Sequence, residues 1–267
     1  MLASIDWNRP WYDSVRPAFE RLAVDIDTDS GDRIAALNAG AAALGLSNAA
    51  GQAVRFVPQE ALPEGRAYEE FIGATGCVPT RDNLHDFFNA LVWLTFPRIK
   101  QQLNALQSAQ IALAGVGKSR GPARDAATIF DENSALLVVR DSAEGTALVA
   151  ALCGHRWQEV FCERREVFGT DAQVWLFGHA LMEKLVAPRK PITAHTRVIN
   201  AGDDYFALMP DARRAWIDAH VAAALAAEPL STAGFTPLPV LGVPGWWPQQ
   251  DEAFYADASV FRPKRAG

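Results

Sequence analysis

The sequence predicts an α+β fold, mainly helical, with a small antiparallel sheet and an extended, proline- and aromatic-rich C-terminal arm. Three observations carry that expectation. Apolar residues recur at helical spacing through long runs such as 83–114 and 210–228. Only a few short runs, "AVRFVP", "ATIFDENSALLVV" and "TAHTRVIN", have the β-branched content of strands. From Leu230 onward, prolines are too frequent for regular structure, yet aromatic and aliphatic residues are too frequent for disorder. Residues 1–267 are therefore expected to form a single domain, with 230–267 as an arm wrapped on it.

The elements follow in order. Residues 8–21 read as a helix, with Pro10 near its first turn. "GDRIAALNAGAAALGL" is an alanine-rich helix that stops at Gly45. "AVRFVP" is a short strand ended by Pro58, followed by a short helix over 66–75 and the turn-rich "TGCVPTRDN". Asn83 is a good helix N-cap, and Asp86 places a carboxylate near the positive helix start. Pro97 removes a backbone donor, which predicts a kink or two helices meeting there. "ATIFDENSALLVV" reads as a hairpin over 127–139 with "DENS" as its turn. "DAQVWLFGHALMEKLVAP" is apolar nearly all round and reads as one buried helix. "TAHTRVIN" is a strand, and "PDARRAWIDAHVAAALAAE" an amphipathic helix opened by Pro–Asp. No internal repeat is visible.

Composition narrows the function. The chain has 267 residues, 49% hydrophobic and 21% charged, enough to bury a core without staples. A net charge of −6 with no basic run argues against nucleic acid as a partner. The N-terminus lacks a charged-then-apolar signal pattern, and "FFNALVWLTF" is about half the length of a membrane span. Cys77, Cys153 and Cys162 are odd in number with no tight pair, so no disulfide framework is expected. These features point to a soluble, cytoplasmic protein with no membrane partner.

One motif invites a nucleotide reading and fails on inspection. "ALAGVGKS" resembles the phosphate-cradling G-x-x-x-x-G-K-S/T, with Ala112 in place of the first glycine. Gly121 and Pro122 interrupt the helix that Lys118 and Ser119 would open. The acidic "FDE" follows too soon for a helix and a return loop to the sheet. The run is read as a loop at a helix end, Lys118 as no nucleotide anchor, and a nucleotide cofactor is not expected.

The phrases "HDFFNALVWLTFPRIKQQLN", "RGPARDAATIFDE", "FGHALMEKL", "PLPVLGVPGWWP" and "FYADASVFRP" span positions 85–263. In them the chain resembles a bacterial family, found mainly in proteobacteria, catalogued as a domain of unknown function. That resemblance implies no reaction, cofactor or catalytic residue.

Candidate chemistry rests on two histidine pairs. His85 and Asn89 are four residues apart and share a helix face, continued by Trp93 and, beyond Pro97, by Lys100 and Asn104. His85 would serve as a base or ligand, Asp86 as its orienter or a second ligand, and Asn89 as a substrate hydrogen bond. His179 and Glu183 form the second pair, where a carboxylate one turn away can fix an imidazole or share a divalent ion. The competing reading is structural: His85 and Asp86 serve the helix start, and Arg189 or Lys190 covers Glu183. Asp131 and Glu132 read as residues of the hairpin turn. Cys153, His155 and Cys162 lack a zinc spacing, and no G-x-S-x-G elbow is present. Trp246 and Trp247 read as packing anchors of the arm.

The functional expectation is a hydrolase-type enzyme using His85, Asp86, Asn89, His179 and Glu183, by acid–base chemistry or with one divalent metal ion. The alternative is a non-catalytic binding or scaffold protein in which those pairs lock helices together. The partner would be a small molecule in the first case and a protein in the second.

Overall fold

The computed structural model describes residues 2–23, 33–114 and 121–264. The run Gly115–Ser119, and with it Lys118, lies outside them. The N-terminal part holds α1 (Arg16–Ala23), α2 (Arg33–Ala43), β1 (Arg55–Pro58), α3 (Tyr68–Thr75) and β2 (Cys77–Thr80). Then come α4 (Leu84–Thr95), α5 (Pro97–Ala114), α6 (Gly121–Asn133), β3 (Ser134–Arg140) and α7 (Ala143–Cys153). β4 (Ala172–Leu176), α8 (His179–Lys184), β5 (Thr193–Ala201), α9 (Asp203–Ala207) and α10 (Pro210–Ala227) follow. β6 (Thr236–Pro239) and α11 (Glu252–Tyr255) complete the described elements. The protein is mainly helical with small sheets.

The sheets depart from the expected antiparallel arrangement. β1 and β2 pair in parallel, with α3 as their crossover. The larger sheet has the order β4-β3-β5-β6 and is mixed: β3 runs antiparallel to β4 but parallel to β5. β3 sits in the middle, and Ala135, Leu136, Leu137 and Val138 are wholly buried. A strand covered on both faces reads as a continuous apolar run, and "ALLVV" is one.

The hairpin expected over 127–139 is absent. α6 runs through "DEN" to Asn133, and β3 begins at Ser134. Asp131 and Glu132 are thus residues of a helix's last turn, and Asp131 is buried. "DAQVWLFGHALMEKLVAP" also divides, into β4 and the short α8, with Gly178 between them. The expectation of no regular structure beyond Leu230 fails at β6, an edge strand antiparallel to β5. An edge tolerates Pro237 and Pro239, which could not stand in a central strand.

Pro97 does mark the junction of two helices. α4 ends at Thr95, Phe96 caps it, and α5 starts at Pro97. The opening amides of α5 are taken by Asp218 of α10, which accepts from Arg98 N at 3.1 Å and Ile99 N at 2.9 Å. α5 then stays helical to Ala114, so "QIALA" is no strand leading into a phosphate loop. One contiguous apolar cluster runs from Ile5 to Phe261, with nearly all of α4 from Phe87 to Leu94 inside it. Trp246 and Trp247 pack against this cluster, Trp246 near Trp11. Among the described residues, no helix is long and apolar enough to cross a membrane.

Candidate functional site

Two helix starts build the site. At the first, Asn83 Oδ1 accepts from Asp86 N at 2.8 Å and fixes the opening turn of α4, which carries His85. Asp86 is engaged by Arg81. Its Oδ2 accepts from Arg81 N at 2.6 Å and Nε at 2.9 Å, and its Oδ1 from Arg81 Nη2 at 2.9 Å. Asp86 therefore locks the turn from β2 into α4 and does not orient His85.

At the second start, the turn from β4 into α8 is pressed against the junction of α6 and β3. Phe177 N and Gly178 N both donate to Ser134 O, at 3.2 and 2.9 Å. A Cβ on Gly178 would stand 2.5 Å from Ser134 N and 2.6 Å from Glu132 O, so only glycine fits without backbone movement. This close approach sets His179, the first residue of α8, beside Asp131. Tyr12 Oη donates to Met182 O at 3.2 Å and ties α8 to the N-terminal segment.

The two histidines meet. His85 Nε2 and His179 Nε2 are 3.1 Å apart, with ring centroids separated by 4.5 Å and planes inclined at 82°. The carboxylates are exchanged relative to the sequence pairs: Glu183 Oε2 lies 3.0 Å from His85 Nδ1, and Asp131 Oδ2 3.8 Å from His179 Nδ1. Lys190, expected near Glu183, instead pairs with Asp257 at 2.8 Å. Asp131 Oδ1 accepts from Lys100 Nζ at 2.6 Å, and Lys100 also donates to Asn89 Oδ1 at 2.8 Å. Asn89 Nδ2 donates onward to Tyr68 Oη at 3.1 Å. A polar line thus runs from Glu183 at the surface to Tyr68 at the start of α3.

Burial is graded along this line. The side chains of Glu183 and His85 are 39% and 32% exposed, whereas His179 is 7% and Lys100 6%. Burial pushes the His179 imidazole down to about 4; Asp131 opposes that fall, and Lys100 and His85 add to it. His179 is therefore neutral at pH 7. Burial alone would raise Asp131, but Lys100, followed by His179, brings it below the usual carboxylate range. Burial holds the Tyr68 phenol well above its usual range, so it stays protonated.

Tautomers follow from the partners. Glu183 beside His85 Nδ1 favours a proton on that nitrogen. His179 Nδ1 is buried without a hydrogen-bond partner and faces the ionised Asp131. A proton on that nitrogen is attracted by the carboxylate. The two Nε2 atoms face each other, one on the half-exposed His85 ring and the other on the buried His179 ring.

His85, Asn89, His179 and Glu183 thus lie in one connected network, and Asp86 lies beside it on Arg81. Sequence reasoning assigned Asp131 to a turn and did not single out Tyr68. The lone Lys100 on an apolar helix was the visible signal, since a buried ammonium requires a carboxylate. A cleft of about 230 Å³, lined by residues including Thr80, Arg81, Asn83 and Phe87, opens at the start of α4. Among the described residues, no three His, Cys, Asp or Glu side chains are grouped as a metal cage. Cys153 and Cys162 are exposed and free.

A family model described as "Protein of unknown function (DUF3025)" matches residues 54–265. The chain belongs to the DUF3025 family. Every member of the polar line, from Tyr68 to Glu183, falls inside the DUF3025 match, whereas α1 and α2 precede it. No curated protein and no solved structure matches the chain significantly.

Proposed function

We propose that this DUF3025 chain is a hydrolase-type enzyme acting on a small molecule at the meeting point of His85 and His179. One observation carries the reading: two imidazoles, one of them bonded to Glu183, bring their Nε2 atoms within 3.1 Å of each other. Such a pair is a poor helix lock. An apolar pair of the same size would fill the space without burying polar nitrogens. It suits an attacking water, whose proton an imidazole nitrogen accepts directly or whose acidity a bound cation raises.

The roles divide by position. His85 and His179 handle the water, Glu183 orients His85, and Asp131 lies within electrostatic reach of His179. Asn89 is engaged by Lys100 and Tyr68, so it is a positioning residue here. Asp86 acts through Arg81 on the start of α4. Residues 1–267 act as one domain in this reading, with 230–267 as an arm closing over the body through Leu238, Leu241 and Phe261, all buried. The reading places the protein in the cytoplasm of a bacterium, where thiols such as Cys77, Cys153 and Cys162 are kept reduced.

The test is a screen of chromogenic carboxylic esters, phosphate esters and anilides with wild type and His85→Ala. Turnover lost in His85→Ala, with its melting temperature kept, supports the reading. No turnover in any class, with His85→Ala strongly destabilised, would hand the site to a scaffold role.

A further inference from the structure

We infer that a cleft between α5, α6 and the end of α10 binds a small zwitterion, a free α-amino acid with an aliphatic side chain. The cleft has a volume of about 330 Å³ and shares no lining residue with the meeting point of His85 and His179. Pockets for small molecules run from roughly 300 to 1,000 Å³, so the occupant is at the small end of that class.

Unused donors line one part of it. Arg124, near the start of α6, makes no hydrogen bond and no ion pair among the described residues, and its Nε and Nη1 are enclosed. A guanidinium left so is costly, because its N–H groups have given up water without gaining an acceptor. Glu69 lies within electrostatic reach, but its carboxylate is engaged by Asn104 Nδ2 at 2.7 Å and forms no ion pair with Arg124. Gln107 of α5 lines the same cleft, is 8% exposed, and has no hydrogen-bond partner among the described residues.

Unused acceptors line another part. Leu225, Ala226 and Ala227 end α10, and their carbonyls accept no hydrogen bond among the described residues. Pro229 has no amide proton with which to close the turn onto Leu225. A helix C-terminus carries partial negative charge and favours a cation, and the exposed Glu228 adds a full carboxylate there. Arg197 of β5 is within electrostatic reach of Glu228, but no ion pair joins them.

The two sets do not satisfy each other, and one ligand answers both. A carboxylate takes the fork of Arg124 and the amide N–H groups of Gln107. An ammonium gives its three N–H groups to Glu228 and the carbonyls of α10. The buried Ala127, Leu225 and Leu230 leave apolar wall for an aliphatic side chain. A plain carboxylic acid would bring its charge beside Glu228, and a plain amine would bring its own beside Arg124. A zwitterion meets neither conflict.

The experiment titrates the full chain with L-leucine by calorimetry, beside 4-methylpentanoate and 3-methylbutylamine. These keep the branched chain of leucine and lack its ammonium and its carboxylate, respectively. One leucine per chain is expected, with each singly charged analogue weaker by about 10-fold or more. Arg124→Gln should weaken leucine about 10- to 100-fold, as for loss of a charge-assisted pair. Its ligand-free melting temperature should not fall, since no protein partner is stranded. Glu228→Gln, at an exposed position, should weaken leucine about 10-fold with the fold intact. No leucine binding by wild type, or 4-methylpentanoate binding as tightly as leucine, overturns the assignment. Undiminished leucine binding by both variants also overturns it. Should Arg124→Gln fail to fold, Glu228→Gln decides, and unchanged affinity in it overturns the assignment.

Discussion

Lys100 and Asp131 are joined by a 2.6 Å contact, 31 residues apart in sequence, with both side chains nine-tenths enclosed. The pair ties α5 to α6 and passes its influence to His179 through the second carboxylate oxygen. Removing one partner strands the other's charge in the core. Lys100→Met is therefore expected to cost about 3–5 kcal/mol. Urea denaturation read by tryptophan fluorescence measures this, and a loss below 1 kcal/mol would mean that water or another cation reaches Asp131.

Gly178→Ala tests whether the turn before α8 sets the histidine geometry. The added methyl would meet backbone of Ser134, Asn133 and Glu132, none of which can rotate aside. The expected cost is about 1–3 kcal/mol from overpacking. Displacement of His179 should also change the nitrogen chemical shifts of the His85 imidazole. A variant with wild-type stability and unchanged imidazole signals would show that the junction yields freely.

Asn83→Ala removes the side-chain acceptor for Asp86 N at the start of α4. Loss of such a cap costs about 1 kcal/mol. Asp86 and Arg81 still brace the turn, so the effect should be a lowered melting temperature with the fold intact. Loss of all cooperative unfolding would mean that the cap nucleates the whole helix.

Asp218 gives the protein a pH dependence away from the histidines. Burial pushes its carboxyl up to about 6, against the two backbone donors of α5 that favour the ion. The unfolded chain releases this proton near pH 4. Between about 4 and 6 the folded state holds a proton the unfolded state has lost, so stability falls as pH rises through that window. The full effect is about 2–3 kcal/mol, reached once pH exceeds 6. Comparing wild type with Asp218→Asn at pH 5 and pH 7.5 isolates it. The wild type should lose the additional stability, and parallel profiles would show that the two amides fully offset burial.

Much of the helical architecture was legible because it depends on local chemistry. The Asn83 cap, the break at Pro97 and the amphipathic run over 210–227 each follow from a few neighbouring residues. The errors lie where the run is apolar on every side. "QVWLFGHALM" and "FDENSALLVV" both cross from one element type to another inside a continuous hydrophobic stretch, where neither period 2 nor period 3.6 stands out. Gly178 was the local sign of the first crossing. The second has no local sign, since "DENS" suits a helix end as well as a hairpin turn. At the site, the spacing of four singled out His85 with Asn89 and His179 with Glu183. Spacing cannot show which carboxylate serves which imidazole, and the exchange of partners depends on how α4 packs against α8. Asp131 was passed over because its meaning depends on Lys100, 31 residues away.

Strand β6 has a consequence beyond completing the sheet. Val240 N donates to Ile192 O, so by antiparallel alternation Leu238 and Thr236 also turn their amides toward β5. Pro237 and Pro239 occupy the alternate positions, whose nitrogens face outward. The open border of the sheet therefore offers no amide proton at either place. A strand from another molecule approaching this border finds acceptors without donors and cannot extend the ladder. The prolines act as a chemical stop on strand addition at the β6 border, and any edge-to-edge association of this sheet is left to β4 on the opposite side.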